Sequence, residues 1–207
     1  MATSNIIKDI RALRALVVHP RDTHAEELLK QIRRIGCHTE AMWPPPKALP
    51  AYADIVFLEI SENIPQKILR LIDDDWTRRP TLIGVAGYEN PSVLQGVLDI
   101  KVEAVVTKPL RPYGVLTSMV IARRIWHELR ARDRALNKMK EKLESSQKIS
   151  QAKFILMRLH GIDEEEAYKT IRSQAMTKRT TTSEIAQSII NADGILGNIS
   201  SKPKSFE

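Results

Sequence analysis

The chain has 207 residues, 43% of them hydrophobic and 28% charged, a balance that excludes an intrinsically disordered protein. Cys37 is the single cysteine, which excludes an intramolecular disulfide and a cysteine-based zinc site. No apolar run approaches the roughly 18 residues that span a bilayer and no signal-peptide core is present, so we expect a cytoplasmic protein without membrane contact.

Four short apolar runs in the first half of the chain predict buried strands. They lie at 15–18, 55–58, 81–83 and 104–107, and a half-polar candidate at 37–41 falls between the first two. The runs are continuous rather than alternating, which is typical of a parallel sheet covered on both faces.

Segments with helical spacing alternate with these strands. The apolar positions that carry this spacing are Ala25, Leu28, Leu29, Ile32 and Ile35, then Ile68, Leu69 and Ile72, then Val93, Leu94, Val97 and Leu98. Alternation of strands and helices predicts a doubly wound α/β domain with a parallel five-stranded sheet over residues 10–120.

A seven-residue apolar repeat follows and predicts a coiled-coil helix over 121–148 that joins two copies of the chain. Arg132 and Ser146 interrupt the repeat. An amphipathic helix that lies on its own domain is the alternative. The predicted dimer contacts are Ala122, Ile125, Leu129, Leu136, Met139 and Leu143.

The last third predicts a small three-helix all-α domain over 149–191. The long helix is expected to end at Gly161, and residues 192–207 are expected to be a flexible tail. Two capping boxes mark the starts of the second and third helices, one formed by Asp163 with Glu166 and one by Thr181 with Glu184.

The excess of positive charge is concentrated in the predicted coiled coil. Residues 121–148 hold nine Lys and Arg against four Asp and Glu, whereas the segments 1–120 and 149–207 are each one charge above neutrality. A solvated coiled-coil exterior usually carries both signs. The dominance of one sign therefore favours a polyanion as binding partner.

The order of elements and the residues at the strand ends resemble the receiver domain of response regulators. Receivers carry an acidic pair after the first strand, a phospho-accepting Asp at the third, Thr or Ser at the fourth and Lys-Pro after the fifth. Here His19 stands at the first of these places, Glu59 at the second and Val85 at the third, while Lys108-Pro109 is kept. The resemblance thus implies a degenerate phosphorylation site.

Such a site is too poor in oxygen ligands for Mg²⁺, so we expect a pseudo-receiver without phosphorylation, metal, cofactor or catalytic residue. Two hypotheses are open for Glu59. It either pairs with Lys108 and mimics a permanently charged acceptor, or it is a polar residue tolerated at a strand end.

The last third resembles the ANTAR domain, the RNA-binding module of transcription antiterminators. The match lies in the runs 149–157, 160–161, 166–167, 171–176 and 185–186, where alanines, a glycine and Ala-Met recur at the family's spacing. Together with the pseudo-receiver and the coiled coil, it resembles the amidase-operon members of the ANTAR family over nearly the whole chain.

This resemblance implies a homodimer that binds the hairpins of a leader mRNA and prevents formation of a terminator. It also implies control by a protein that senses an amide or another small ligand and resembles a periplasmic binding protein. The basic residues available for RNA are Lys153, Arg158, Arg172, Lys178 and Arg179.

Three other functions are weighed against antitermination. A DNA-binding response regulator needs polar and basic side chains on a recognition helix, and the third helix, near 182–188, lacks basic residues. An adaptor that binds protein and no RNA remains an alternative. An enzyme is disfavoured because no glycine-rich phosphate loop follows the first strand and no nucleophile motif occurs.

Overall fold

A five-stranded parallel sheet forms the centre of the first part of the chain. The computed structural model describes residues 9–62, 79–87 and 90–200. The strands follow the order β2-β1-β3-β4-β5, which is the flavodoxin-like doubly wound arrangement. They are β1 Arg14–Val18, β2 His38–Met42, β3 Ile55–Ile60, β4 Thr81–Ala86 and β5 Ala104–Thr107. The predicted fold class is confirmed.

Each face of the sheet has its own apolar core. Because successive side chains of a strand point to opposite faces, Ala15 and Val17 join one core while Leu16 and Val18 join the other. Both faces are covered, which explains why the strands read as continuous apolar runs.

Among the residues that the structure describes, two helices of ordinary length pack on the sheet. Helix α1, Thr23–Ile35, begins at the Asp22 cap and ends at Gly36, whose φ of 105° suits glycine. Helix α2, Pro91–Ile100, buries Val93 and Ile100. Its predicted stripe is half wrong, because Leu94 and Leu98 are exposed. The predicted helical positions Ile68, Leu69 and Ile72 lie outside the described residues.

Helix α3, Pro112–His160, begins as part of the sheet domain. Its side chains Val115, Met119 and Ala122 are completely buried in the core on the α1 face of the sheet. The predicted dimer contact at Ala122 is therefore wrong: the apolar stripe of α3 is used within the chain before it becomes exposed further along.

Trp126 anchors helix α3 near the amino-terminal end of β4. Its indole Nε1 donates to the Arg79 carbonyl at 2.8 Å, and the Arg123 guanidinium lies 4.3 Å from its ring centroid. Arg123 also donates to Thr81 Oγ1 at 3.0 Å. One aromatic side chain thus connects α3 to the segment that leads into β4.

The chain divides into two compact units, Met1–Asp133 and Arg134–Glu207. The second consists of the later part of α3 with α4, Glu164–Lys178, and α5, Thr182–Ser200. Its core is built largely from small residues, which allow close approach of the three helices. These core residues are Ala152, Leu156, Ala167, Ile171, Ala175, Ile185 and Ala186.

Both predicted helix starts of the second unit are confirmed. Asp163 accepts from the Glu166 amide at 2.8 Å and caps α4. Thr181 and Glu184 form a reciprocal pair, in which each side chain accepts from the other residue's amide.

The last helix is longer than the sequence predicts. The expected flexible tail from residue 192 is wrong as far as Ser200, because α5 continues through Gly194. Each glycine costs a helix only about 1 kcal/mol. That cost is offset by Ile189 and Ile190, which pack on the core, and by an ion pair between Arg158 and Asp193. In the part of the chain that the structure describes, none of the helices combines the length and apolarity of a membrane span.

Candidate functional site

Three polar side chains meet at the carboxyl ends of the strands in the first unit. His19 follows β1, Glu59 lies near the end of β3 and Lys108 follows β5. Carboxyl ends of parallel strands share one edge of a sheet, so the topology brings these residues together. Glu59 Oε1 accepts from Lys108 Nζ at 2.8 Å, and Glu59 Oε2 lies 2.7 Å from His19 Nε2.

The polar contacts of His19 favour its charged form. Its Nδ1 lies 2.8 Å from the Pro20 carbonyl oxygen, and its Nε2 lies 2.7 Å from Glu59 Oε2. Carbonyl and carboxylate oxygens only accept, so both contacts favour a proton on the ring nitrogen that faces them. Asp22 Oδ1 is a further 3.5 Å contact of Nδ1 and favours the same charge.

The contacts shift both pKa values in the direction of a charged pair. Burial alone would lower the pKa of His19, but its hydrogen bonds to Glu59 and to Pro20 raise it above the ordinary value. Burial alone would raise the pKa of Glu59, but hydrogen bonds from His19 and Lys108 hold it below the ordinary value. The site is therefore an ion triad.

This triad cannot bind Mg²⁺ or accept a phosphoryl group, as a receiver site does, unless its ion pairs are broken. Each oxygen of Glu59 already faces one protein cation, which leaves no free carboxylate oxygen for Mg²⁺ or a phosphoryl group. Val85 is paired with Glu59 in the register of β3 and β4, but it is completely buried and supplies no hydroxyl. Among residues 9–62, 79–87 and 90–200, no cluster of His, Cys, Asp and Glu could hold a metal ion.

Of the two hypotheses for Glu59, the pairing with Lys108 is the one observed. The second cation, His19, is not predicted by the sequence pattern, which identifies it only as the residue that replaces an acidic pair. A signal was available, since β1 and β3 are neighbours in a receiver-like sheet and their ends must adjoin. A histidine and a carboxylate at such ends are then expected to meet.

Two of the five predicted RNA-binding residues are compensated within the second unit. Lys153 Nζ pairs with Glu164 Oε1, and Arg158 pairs with Asp193. Both pairs connect neighbouring helices, so these cations have a structural role in the protomer.

The other three are exposed and uncompensated. Arg172 lies on α4, Lys178 is its last residue and Arg179 caps it with a left-handed φ of 52°. Within the described ranges, no carboxylate pairs with any of them. Lys169, by contrast, is held by Glu165 at 2.8 Å on the same helix. The free cations are thus located on α4 and its connection to α5.

The later part of α3 exposes apolar side chains. Leu136, Met139 and Leu143 are 64%, 68% and 60% exposed, whereas Ile125 and Leu129 are half-buried. Three large apolar side chains repeated along one helix face are the pattern that a second helix covers.

Comparison with known families assigns both units. Residues 13–123 match the model described as AmiR, N-terminal, and residues 137–190 match the ANTAR domain. The chain is 32% identical over 190 residues to the aliphatic amidase regulator of Pseudomonas aeruginosa, covering 92% of this chain and 97% of that protein. The chain belongs to the AmiR family.

Two further proteins show lower similarity to this AmiR-family chain. The transcriptional regulatory protein PdtaR of Mycobacterium tuberculosis is 23% identical over 113 residues, 55% of each chain. The solved response regulator StyR has a TM-score of 0.49 at 10% identity and covers 87% of this chain and 100% of its own.

Proposed function

We propose that this AmiR-family protein is a transcription antitermination regulator that binds hairpins of a leader RNA as a homodimer. Binding stabilises those hairpins and prevents a terminator from forming. The observation that carries the proposal is that the ANTAR match coincides with the unit that exposes Arg172, Lys178 and Arg179 without carboxylate partners. Exposed cations without carboxylate partners are what a phosphate backbone binds.

The ion triad supports regulation through a protein partner rather than through phosphorylation. Glu59 is already a charged group neutralised by Lys108 and His19, so no phosphoryl group is needed to create that charge. Control by a ligand-sensing protein, of the kind that resembles periplasmic binding proteins, is then the simplest input. The identity with the aliphatic amidase regulator supports an amide as the sensed ligand.

Crosslinking in the native cell followed by sequencing of the bound RNA tests the proposal. We expect enrichment of hairpin-containing segments that precede coding regions, and stronger binding of that RNA than of the matching duplex DNA. Acetyl phosphate with Mg²⁺ should leave the RNA affinity unchanged. Preference for the duplex DNA would instead establish a DNA-binding regulator, and absence of any enriched RNA would favour an adaptor.

A pair of variants on α4 tests the surface itself. Arg172→Ala should weaken binding of the enriched RNA roughly tenfold, because a free cation is removed from the contact. Lys169→Ala is the matched control, since it removes an exposed cation already paired with Glu165. Equal affinities of the two variants in a titration at fixed salt would contradict this surface.

A further inference from the structure

A groove in the second unit combines an aromatic ring with basic side chains. It has a volume of about 580 Å³ and lies between the later part of α3 and α4. Lys138, Lys142 and Lys153 line it from α3, and Tyr168 lines it from α4. Of the residues predicted to bind RNA, only Lys153 lines this groove. The groove therefore adds side chains to the RNA-binding surface that is proposed at Arg172.

The charge of the groove is positive and largely uncompensated. Lys138 and Lys142 are exposed, and neither has an ion-pair partner in the part of the chain that the structure describes. Glu141 is the single carboxylate among the lining residues, while Lys153 is paired with Glu164. Lys138 and Lys142 are one helical turn apart, about 6 Å between their Cβ atoms, and so face the same way.

Tyr168 supplies the feature that selects among polyanions. Its side chain is 42% exposed, and its ring takes part in the wall of the groove rather than in the core formed by Ala167 and Ile171. An exposed aromatic face beside cations is the arrangement on which an unstacked base packs. Arg172, four residues further along α4, lies on the same helix face as Tyr168.

We propose that Tyr168 stacks on one unpaired base of an RNA loop while Lys138 and Lys142 bind its flanking phosphates. This inference rests on the proposed RNA-binding function and narrows its substrate to a single-stranded element. A duplex keeps its bases stacked on one another and offers no free face to Tyr168. An acidic peptide would match the lysines but gains no comparable stacking on the ring.

The groove borders the exposed apolar face of α3. At 100° per residue, Lys138 lies about 160° around the helix from Leu136, whereas Lys142 lies about 60° from Met139. Lys138 is therefore on the side of α3 away from the apolar face. Lys142 is at the edge of that face, where paired helices commonly carry charged side chains.

The test uses the full chain and a pool of RNA stem–loops with randomised loops, enriched on the wild-type protein. Tyr168→Ala should weaken binding of this pool at least fivefold, because stacking on one base contributes about 1–3 kcal/mol. Tyr168→Phe should retain wild-type affinity, since it keeps the ring. Neither variant should change binding of the same stem closed as a blunt duplex.

Two further variants complete the design. Lys142→Gln should lower the slope of log affinity against log salt by about one, as expected for loss of one phosphate contact. Tyr113→Ala is the control for loss of a tyrosine, because Tyr113 is 86% exposed and belongs to the first unit. It should bind as the wild type does.

The outcomes separate this inference from the proposed function. Failure of the wild-type chain to enrich or bind any RNA would overturn both. Wild-type binding that Tyr168→Ala leaves unchanged would overturn the stacking role alone and leave RNA binding intact. A Tyr168→Phe variant as weak as Tyr168→Ala would assign the effect to the hydroxyl, which also overturns the inference.

Discussion

Glu59 is held between two cations, and that arrangement has a defined pH dependence. The raised pKa of His19 means that its contribution to stability is complete below its ordinary value of 6.5 and is lost as pH rises through the folded-state pKa. The lowered pKa of Glu59 means that its contribution is complete above its ordinary value of 4.5 and is lost on acidification. The triad therefore contributes most between these two values.

Glu59→Gln tests the pH dependence of the stability that the triad contributes. It keeps the size of the side chain but removes the charge that pairs with His19 and Lys108, so the free energy of unfolding should fall by roughly 1–3 kcal/mol at pH 6. The loss should shrink towards pH 8, because the charge of His19 is lost as pH rises through its raised folded-state pKa. Urea unfolding at the two pH values measures it, and Glu62→Gln, an exposed carboxylate near the same strand end, is the control. An identical loss at both pH values would show that His19 is not charged in the folded protein.

Trp126 connects the middle portion of helix α3 to the sheet domain. Trp126 is 7% exposed and donates a hydrogen bond to the Arg79 carbonyl. The guanidinium groups of Arg123 and Arg130 lie 4.3 and 4.6 Å from its ring centroid. Trp126→Phe should cost about 1 kcal/mol through the lost hydrogen bond, and Trp126→Ala roughly 3–5 kcal/mol through the cavity.

Thermal or urea unfolding of the full chain measures both losses. Tyr113→Ala on the same helix is the matched control, because an exposed aromatic residue should change stability by less than about 0.5 kcal/mol. Equal stability of Trp126→Ala and the wild type would mean that α3 is held by its apolar contacts alone.

The strands and helix α3 differ in how much of their packing the sequence could predict. Strands such as β3 and β4 were predictable because residues buried on both faces leave a continuous apolar run. Ala122 and Leu136 share one seven-residue repeat, yet the first packs on the sheet and the second is exposed. Periodicity identifies an apolar stripe but carries no information on what covers it. That decision depends on the tertiary fold.

The candidate site likewise contains some contacts that the sequence could predict and others that depend on the tertiary fold. Glu59 and Lys108 could be located from the ends of predicted strands, whereas the contact of His19 with Glu59 required the strand order. In the second unit, Lys153 and Arg158 could not be distinguished from Arg172 by composition. Their partners, Glu164 and Asp193, lie on other helices and become neighbours only when the three helices pack.

In the whole molecule, the proposed dimer and the proposed RNA complex should respond to salt in opposite directions. Each copy of the segment 121–148 carries nine Lys and Arg against four Asp and Glu, so two such segments repel one another. Added salt screens that repulsion and should strengthen the dimer. The same salt weakens RNA binding, because releasing counterions into a more concentrated salt solution is less favourable.

Leu136→Glu tests the apolar contact on which the dimer depends. Leu136 is 64% exposed in the protomer, so glutamate should leave the fold intact while placing a charge in the contact. Light scattering should give twice the mass of the chain for the wild type and the mass of one chain for the variant. Arg134→Glu is the control, because residue 134 is also exposed but lies about 160° around the helix from residue 136. It should remain dimeric. Its dimer affinity should rise less with added salt than that of the wild type, because one repelling charge is reversed. A Leu136→Glu variant that stays dimeric would locate the contact between protomers outside this stretch of α3.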